Sequence, residues 1–442
     1  MKHTAHSRLA ALIVTGVLGL SLIAGCAGGV STSLPGTVPG TPDAAADSGQ
    51  TSEKPEGLTL IAPIGSRDTS LIDSDGTVVH SWSSKYVPAL STYLLENDTL
   101  MRTAALRGPG QSFDVGGAGG RVEQWSRDGR LLWEFEYSDT EHRLHHDIEV
   151  LPNGNVLMIA WELIDRADAI AKGRDPDLLG DGALWPDHII EVDPTNISGG
   201  DIIWEWHAWD HLVQDYDSGK DDYGVVADHP ESIDVNYVSG RESADWTHIN
   251  SIDYNPDLDQ ILLSVHGFNE IWIIDHSTTT AEAASHSGGD SDCGGDLLYR
   301  WGNPQAYDTG TSADRTLFGQ HDAGWIENGL PGEGDILVFN NGSRIAGRAY
   351  SSVDEIVPPL KADGSYSLMT DRSYGPVDLA WQYTSDPTSD FYADHISGSQ
   401  RLANGNTLIT DGTSGTLFEV TTTGEIVWKY DVGEEIFRAN RY

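Results

Sequence analysis

Residues 122–137 read VEQWSRDGRLLWEFEY: an apolar-alternating run, an Asp-Gly turn, and a second run ending in aromatic residues. That is the pattern of a β-hairpin. Its second strand has relatives along the chain, at TVVHSW (77–82), RLLWEF (130–135), DIIWEW (201–206), DLLYRW (296–301), VDLAWQY (377–383) and EIVWKY (425–430). A second element alternates with it, a hairpin written LLENDTLMR (94–102), VLPNGNVLM (150–158), YNPDLDQILLS (254–264), ENGLPGEGDILVF (327–339) and RLANGNTLIT (401–410). Six copies of a roughly four-stranded unit predict an all-β fold, a six-bladed β-propeller over residues 57–442. A β-sandwich would need fewer and less regular strands. The aromatic markers are unevenly spaced, so 207–245 and 277–295 are expected to be long face loops, either functional or disordered. No sustained apolar spacing of 3.6 residues points to long helices.

The chain has 442 residues, with 68 acidic against 26 basic side chains and a formal net charge of −42. A nucleic-acid partner is excluded on that balance. The acidic residues are scattered through loops and read as a solvating surface. The loop DPDLLGDG (175–182) leaves Ca²⁺ binding open, although it lacks EF-hand spacing. The Gly-rich GGAGGR (116–121) has no following helix or Lys-Ser/Thr and is no phosphate loop.

The N-terminus has a basic start (MKHTAHSR) and an apolar run (LAALIVTGVLGLSLIAG) before Cys26. Residues 1–25 are therefore expected to be a signal peptide. LIAGC (22–26) is similar to a bacterial lipobox, which implies diacylglycerol on Cys26. Residues 26–56 then form the lipidated cysteine and a flexible Gly/Ser/Thr/Pro-rich tether. The expected location is the cell envelope, at the periplasmic face of the outer membrane or the cell surface. Cys293 is the only other cysteine, so with Cys26 lipidated no internal disulfide is expected.

In LHHDIEVLPNGNVLMIAWE (144–162) two histidines and an aspartate lead into a hairpin. Aligned on their turns, the equivalent strands bring His146, His248, His321 and His395 within one two-residue step of each other. Residues two apart share a strand face. His248 and Asn250 thus go together, and His145 points away from His146. If these strands are innermost, four imidazoles enter one central channel. They could hold a Zn²⁺ or Cu²⁺ ion. They could equally bind an anionic sulfate or phosphate and attack its central atom.

The motifs HHDIEVLPNGNVL (145–157), DWTHINSIDYNP (245–256), NEIWIIDHSTTT (269–280), FGQHDAGW (318–325) and HISGSQRLANGNTLI (395–409) resemble bacterial aryl-sulfate sulfotransferases that do not use phosphoadenosine phosphosulfate. The resemblance covers most of residues 60–442. It implies sulfuryl transfer from an aryl sulfate to a phenol by a ping-pong route, with no cofactor and no metal. It implies His321 as the nucleophile, with His146 and His248 binding the sulfuryl oxygens beside Asn250. His395 joins them as a channel residue on geometric grounds. One departure is His266 in ILLSVHGFNE (261–270), where the family has an arginine; Arg344 in FNNGSRIAG (339–347) could compensate. An arginine gives a permanent charge and a planar fork that histidine lacks. Two rivals stand beside this reading. One is a non-catalytic propeller whose channel histidines hold a metal or an anion; the other is a quinoprotein-like dehydrogenase. Whether the chain works as a monomer or a homodimer is open at this stage.

Overall fold

The computed structural model describes residues 56–442, apart from 109–112, 114, 180–181 and 240–243. The signal-peptide, Cys26 and tether expectations lie outside the described residues. Six four-stranded antiparallel sheets follow one another along the chain, and they are the expected six blades. Blade 2 runs Pro88–Leu94, Leu100–Ala105, Gly120–Trp125 and Leu131–Glu136. Blade 3 runs His142–Val150, Val156–Glu162, Asp187–Asp193 and Asp201–His207. Blades 4, 5 and 6 begin with Ile249–Asn255, His321–Trp325 and Gly398–Arg401. Blade 1 differs, because its inner strand is Asn440–Arg441, which pairs with Thr59–Ile61 and closes the ring.

All six aromatic-ended stretches form outermost strands, and a tryptophan from each ties its blade to the next. The indole Nε1 of Trp82 donates to Ser126 O, Trp133 to Gly199 O and Trp206 to Gly295 O. Trp301 donates to Pro376 O, Trp381 to Thr422 O and Trp428 to Ser74 O, all at 2.7–3.0 Å. Each acceptor lies between the third and fourth strands of the neighbouring blade. An amphipathic ring suits this position, with its body in the inter-blade core and its N–H on a backbone carbonyl.

Near the axis, aspartates do the stitching. Asp147, Asp253 and Asp322 accept the amides of Ile252, Trp325 and Ser399 on the following blades at 3.2, 2.6 and 2.8 Å. The Arg438 guanidinium binds both Asp147 and Asp322 across the channel. Much of the acidity at the axis is therefore structural.

The long inserts are ordered wherever they are described. Leu212–Val213 and Ile233–Asp234 pair in parallel, and Val226 and Val235 pack with them into the core. Thr279 and Glu282 form a capping box on the short helix Thr280–Ala283. Among the described residues the only other α-helix is Arg166–Ala171, and no helix is long and apolar enough to cross a membrane. In the DPDLLGDG loop the Asp175 carboxylate caps a helical turn, while residues 180–181 are outside the described set. Cys293 is buried, and Cys26, the other cysteine, lies outside the described residues.

Candidate active site

The first strand of a blade does not run straight here. Pairing registers shift between Leu144 and Ile148, Ile249 and Ser251, and His321 and Gly324. Left-handed residues sit within the first and third shifts, at His146 (φ 50°) and Asp322 (φ 54°), and directly before the second, at His248 (φ 47°). Bulges re-aim side chains and are common beside active sites. Left-handed φ in non-glycine residues costs energy and clusters at functional positions. The bulges, rather than simple alternation, gather the histidines at one end of the channel.

There His146, His248, His321 and His395 line one cavity of about 420 Å³, together with Arg107 and Arg143. The rings form a chain. Centroid separations are 4.7 Å from His146 to His248, 5.1 Å from His248 to His266 and 5.6 Å from His266 to His321. Phe437 closes the far side, 6.3 Å from both His146 and His321. Gly117 lets the loop over His146 approach, since a Cβ there would lie 2.1 Å from the ring.

Each imidazole has its own partner. His321 Nδ1 lies 2.8 Å from Asn341 Oδ1 and 3.1 Å from Gly319 O. Asn341 spends its Nδ2 on Ala393 O and Ile396 O, which fixes Oδ1 towards His321. Two acceptors at Nδ1 put the proton there and leave Nε2 with its lone pair. Burial lowers the His321 pKa to about 4, so the ring is neutral at physiological pH. For His248, burial pulls the pKa down, but the Asp245 carboxylate 2.5 Å from Nδ1 overrides it, and the net shift is upward. Burial holds His146 and His266 well below the ordinary value. Of these four rings, His248 alone is shifted towards its charged form.

Behind His146 lies a relay. His146 Nδ1 meets His145 Nδ1 at 2.7 Å, and His145 Nε2 meets Asp187 Oδ1 at 2.6 Å. His145 is stacked on Trp161 at 3.8 Å, and Trp161 donates to Asp245. A proton moved along this line would switch His146 Nε2 between acceptor and donor. Sequence reasoning had set His145 aside and missed Asp187, Asp245 and Asn341. The tandem histidines were the available signal for His145 and the Asp-Trp-Thr-His spacing for Asp245, while nothing local marked Asp187 or Asn341.

Three expected substrate-binding residues, Asn250, His266 and Arg344, are not in the cavity lining. Asn250 is fully buried outside the lining, its amide donating to Gln320 O at 2.8 Å, directly before His321. Arg344 sits on an exposed loop with its guanidinium over the Tyr392 ring. The arginines that line the cavity are Arg107 and Arg143, and Arg143 is pinned by Leu106 O at 2.6 Å. His395 stands at the rim, half-exposed and paired with Asp394. His266 occupies the middle of the imidazole chain.

Residues 49–440 match the family model for arylsulfotransferases (ASST). The chain belongs to the arylsulfotransferase family. No curated protein matches it. Among solved structures, a Bacteroides caccae protein of unknown function aligns at 12% identity and TM-score 0.46, covering 87% of this chain and 98% of its own. Virginiamycin B lyase from Staphylococcus aureus aligns at 10% identity and TM-score 0.39, covering 86% and 85%. Likenesses at TM-scores below 0.5 do not bear on the reading of this arylsulfotransferase site. Family membership supports a sulfotransferase enzyme, with aryl sulfates and phenols as fitting substrates.

Proposed function

We propose that this arylsulfotransferase moves a sulfuryl group from an aryl sulfate to a phenol in two displacements through His321. The observation that carries the reading is the fixed tautomer of His321, whose Nδ1–H is held by Asn341 and Gly319 so that Nε2 is the nucleophilic atom. In the first displacement Nε2 attacks sulfur, the N–S bond forms and the S–O bond to the aryl group breaks. The departing phenoxide takes the proton from His146 Nε2 while His146 Nδ1 takes one from a His145 imidazolium paired with the Asp187 carboxylate, so His145 ends neutral with its Nε2–H still on Asp187. In the second, the relay runs backwards. His146 Nε2 accepts the proton of the incoming phenol, whose oxygen attacks sulfur and releases His321. The His248 imidazolium, with Arg107 and Arg143 nearby, stabilises the sulfuryl oxygens as charge builds on them. His266 holds the place of the family's arginine as a neutral ring, so the remaining cations bear more of the binding. Asn250 acts on the strand that presents His321.

The test uses purified protein with 4-nitrophenyl sulfate, with and without phenol, beside His321→Ala. Continued nitrophenolate release should need phenol and disappear in the variant, and without phenol one equivalent should be released as sulfated His321 is trapped. No release across a wide pH range would sink the reading and leave a binding propeller.

We also infer an envelope location with a lipid on Cys26, motivated by the basic start, apolar run and lipobox-like LIAGC. A sulfur in a disulfide cannot also carry a thioether lipid, so this reading competes with a bridge to Cys293. Cys26→Ser should release the protein into the soluble fraction. If intact mass shows unlipidated, bridged protein, the anchor is wrong. A homodimer is proposed only as the state to check by light scattering on the same sample.

A further inference from the structure

Side chains along a strand alternate between its two faces, and blade 3 uses both. On one face Trp161 and Asp187, paired across the sheet, hold His145 behind the catalytic ring. Their sequence neighbours Glu162 and His188 turn to the other face, where His188 pairs across the sheet with His207. One ligand-type atom from each of Glu162, His188 and His207 lies within 4.8 Å of the other two. We propose that these three side chains bind a divalent transition-metal ion of the Zn²⁺ type at the junction of blades 2 and 3.

The sharpest sign is His188. Its ring is fully buried and lies parallel to His207, with centroids 4.9 Å apart. Its Nε2 meets only the Tyr137 hydroxyl at 3.3 Å, and its Nδ1 is buried with no well-formed hydrogen bond, its one backbone contact, to Ala160, falling short of that geometry. A buried polar atom left in this state destabilises the fold unless something occupies it. His207 Nδ1 faces Glu162 Oε1 at 3.1 Å, and Glu205 approaches the other ring nitrogen at 3.4 Å. A carboxylate behind a ligating imidazole is the usual way such a ring is oriented. His207 and Glu162 are 25% and 14% exposed, so solvent reaches the site and a fourth position falls to water.

Two imidazoles and one carboxylate suit Zn²⁺ or Co²⁺, whereas Ca²⁺ and Mg²⁺ want oxygen alone. The other converging group, His211, His286 and Asp296, differs in kind. Both ring nitrogens of His211 are bonded, one to Asp296 and one to Ala283 O, and that group has no counterpart to the ill-satisfied buried Nδ1 of His188. The proposed ion would brace the strands whose opposite face aligns the His145 relay, and it does not depend on the sulfuryl-transfer reading.

Full-length protein stripped with a chelator should take up one equivalent of Co²⁺, with visible bands of a four-coordinate ion, and Zn²⁺ should displace it. Calorimetry should show Zn²⁺ affinity falling at least 100-fold in Glu162→Gln and His207→Gln, and staying unchanged in His286→Gln and His321→Ala. Zinc-edge absorption of the wild type, which requires no variant to fold, should show two imidazoles in an N/O shell. Absence of stoichiometric uptake, unaltered affinity in the first two variants, or loss in either of the last two would overturn the proposal.

Discussion

His248 and His321 lie in the same cavity and are pushed in opposite directions, and that difference sets the pH dependence. His321 must be neutral to attack, and its pKa is lowered to about 4, so kcat/KM should fall only as pH drops through about 4. His248 must be charged to stabilise the transition state, and its pKa is raised above the ordinary value by Asp245. Activity is therefore present below that raised pKa and lost as pH climbs through it. Asp245→Asn removes the carboxylate and leaves burial as the dominant influence on His248. The alkaline limb should then move down through neutrality, while the acidic limb stays in place. The loss should therefore grow as pH rises through the alkaline limb and vanish at the acidic end of the profile. An unmoved alkaline limb in a folded variant would assign that limb to another group. Most of these partners were not legible in the sequence. The histidines could be found because they recur at fixed distances from hairpin turns. Asp187 and Asn341 come from other strands and loops and only the fold brings them into line, whereas Asp245 stands three residues before His248 and was the one partner the sequence signalled.

At the scale of the element, the outer strands were legible for a physical reason. Each needs an aromatic residue that fills the inter-blade gap and donates to the next blade, and that requirement writes one tryptophan per blade into the sequence. The inner hairpins were legible five times rather than six. Blade 1 takes its inner strand from Asn440–Arg441, so no turn joins its first and second strands. The bulges were not legible, since His146 and His248 give no local sign that they adopt left-handed φ. The indole ring of contacts can be tested one member at a time. Trp428→Phe, at a part-exposed site, keeps the packing and frees Ser74 O to water, costing about 0.5–1.5 kcal/mol. Trp206 is fully buried, so Phe there leaves Gly295 O without its donor and a small void besides. Its cost should be clearly larger, about 2–4 kcal/mol. Urea midpoints at constant slope measure both. Equal costs would mean that the hydrogen bonds add little and packing alone holds the blades.

The whole molecule places a locally basic cavity inside a strongly acidic body. With a formal net charge of −42, the surface field repels an anionic aryl sulfate but leaves a neutral phenol indifferent. Screening lengths fall from about 30 Å at 0.01 M salt to about 8 Å at 0.15 M. Added salt should therefore quiet the long-range repulsion first, while Arg107, Arg143 and the buried imidazoles act at shorter range inside the cavity. The expected outcome is that kcat/KM for 4-nitrophenyl sulfate rises with NaCl between about 10 and 150 mM, across the range in which the screening length shrinks below molecular size. The corresponding value for phenol, measured at saturating donor, should stay flat. A donor value that falls over this range would mean that the two arginines already dominate the approach path. In that case Arg107→Gln should abolish the salt dependence, which separates steering at the cavity mouth from the field of the body as a whole.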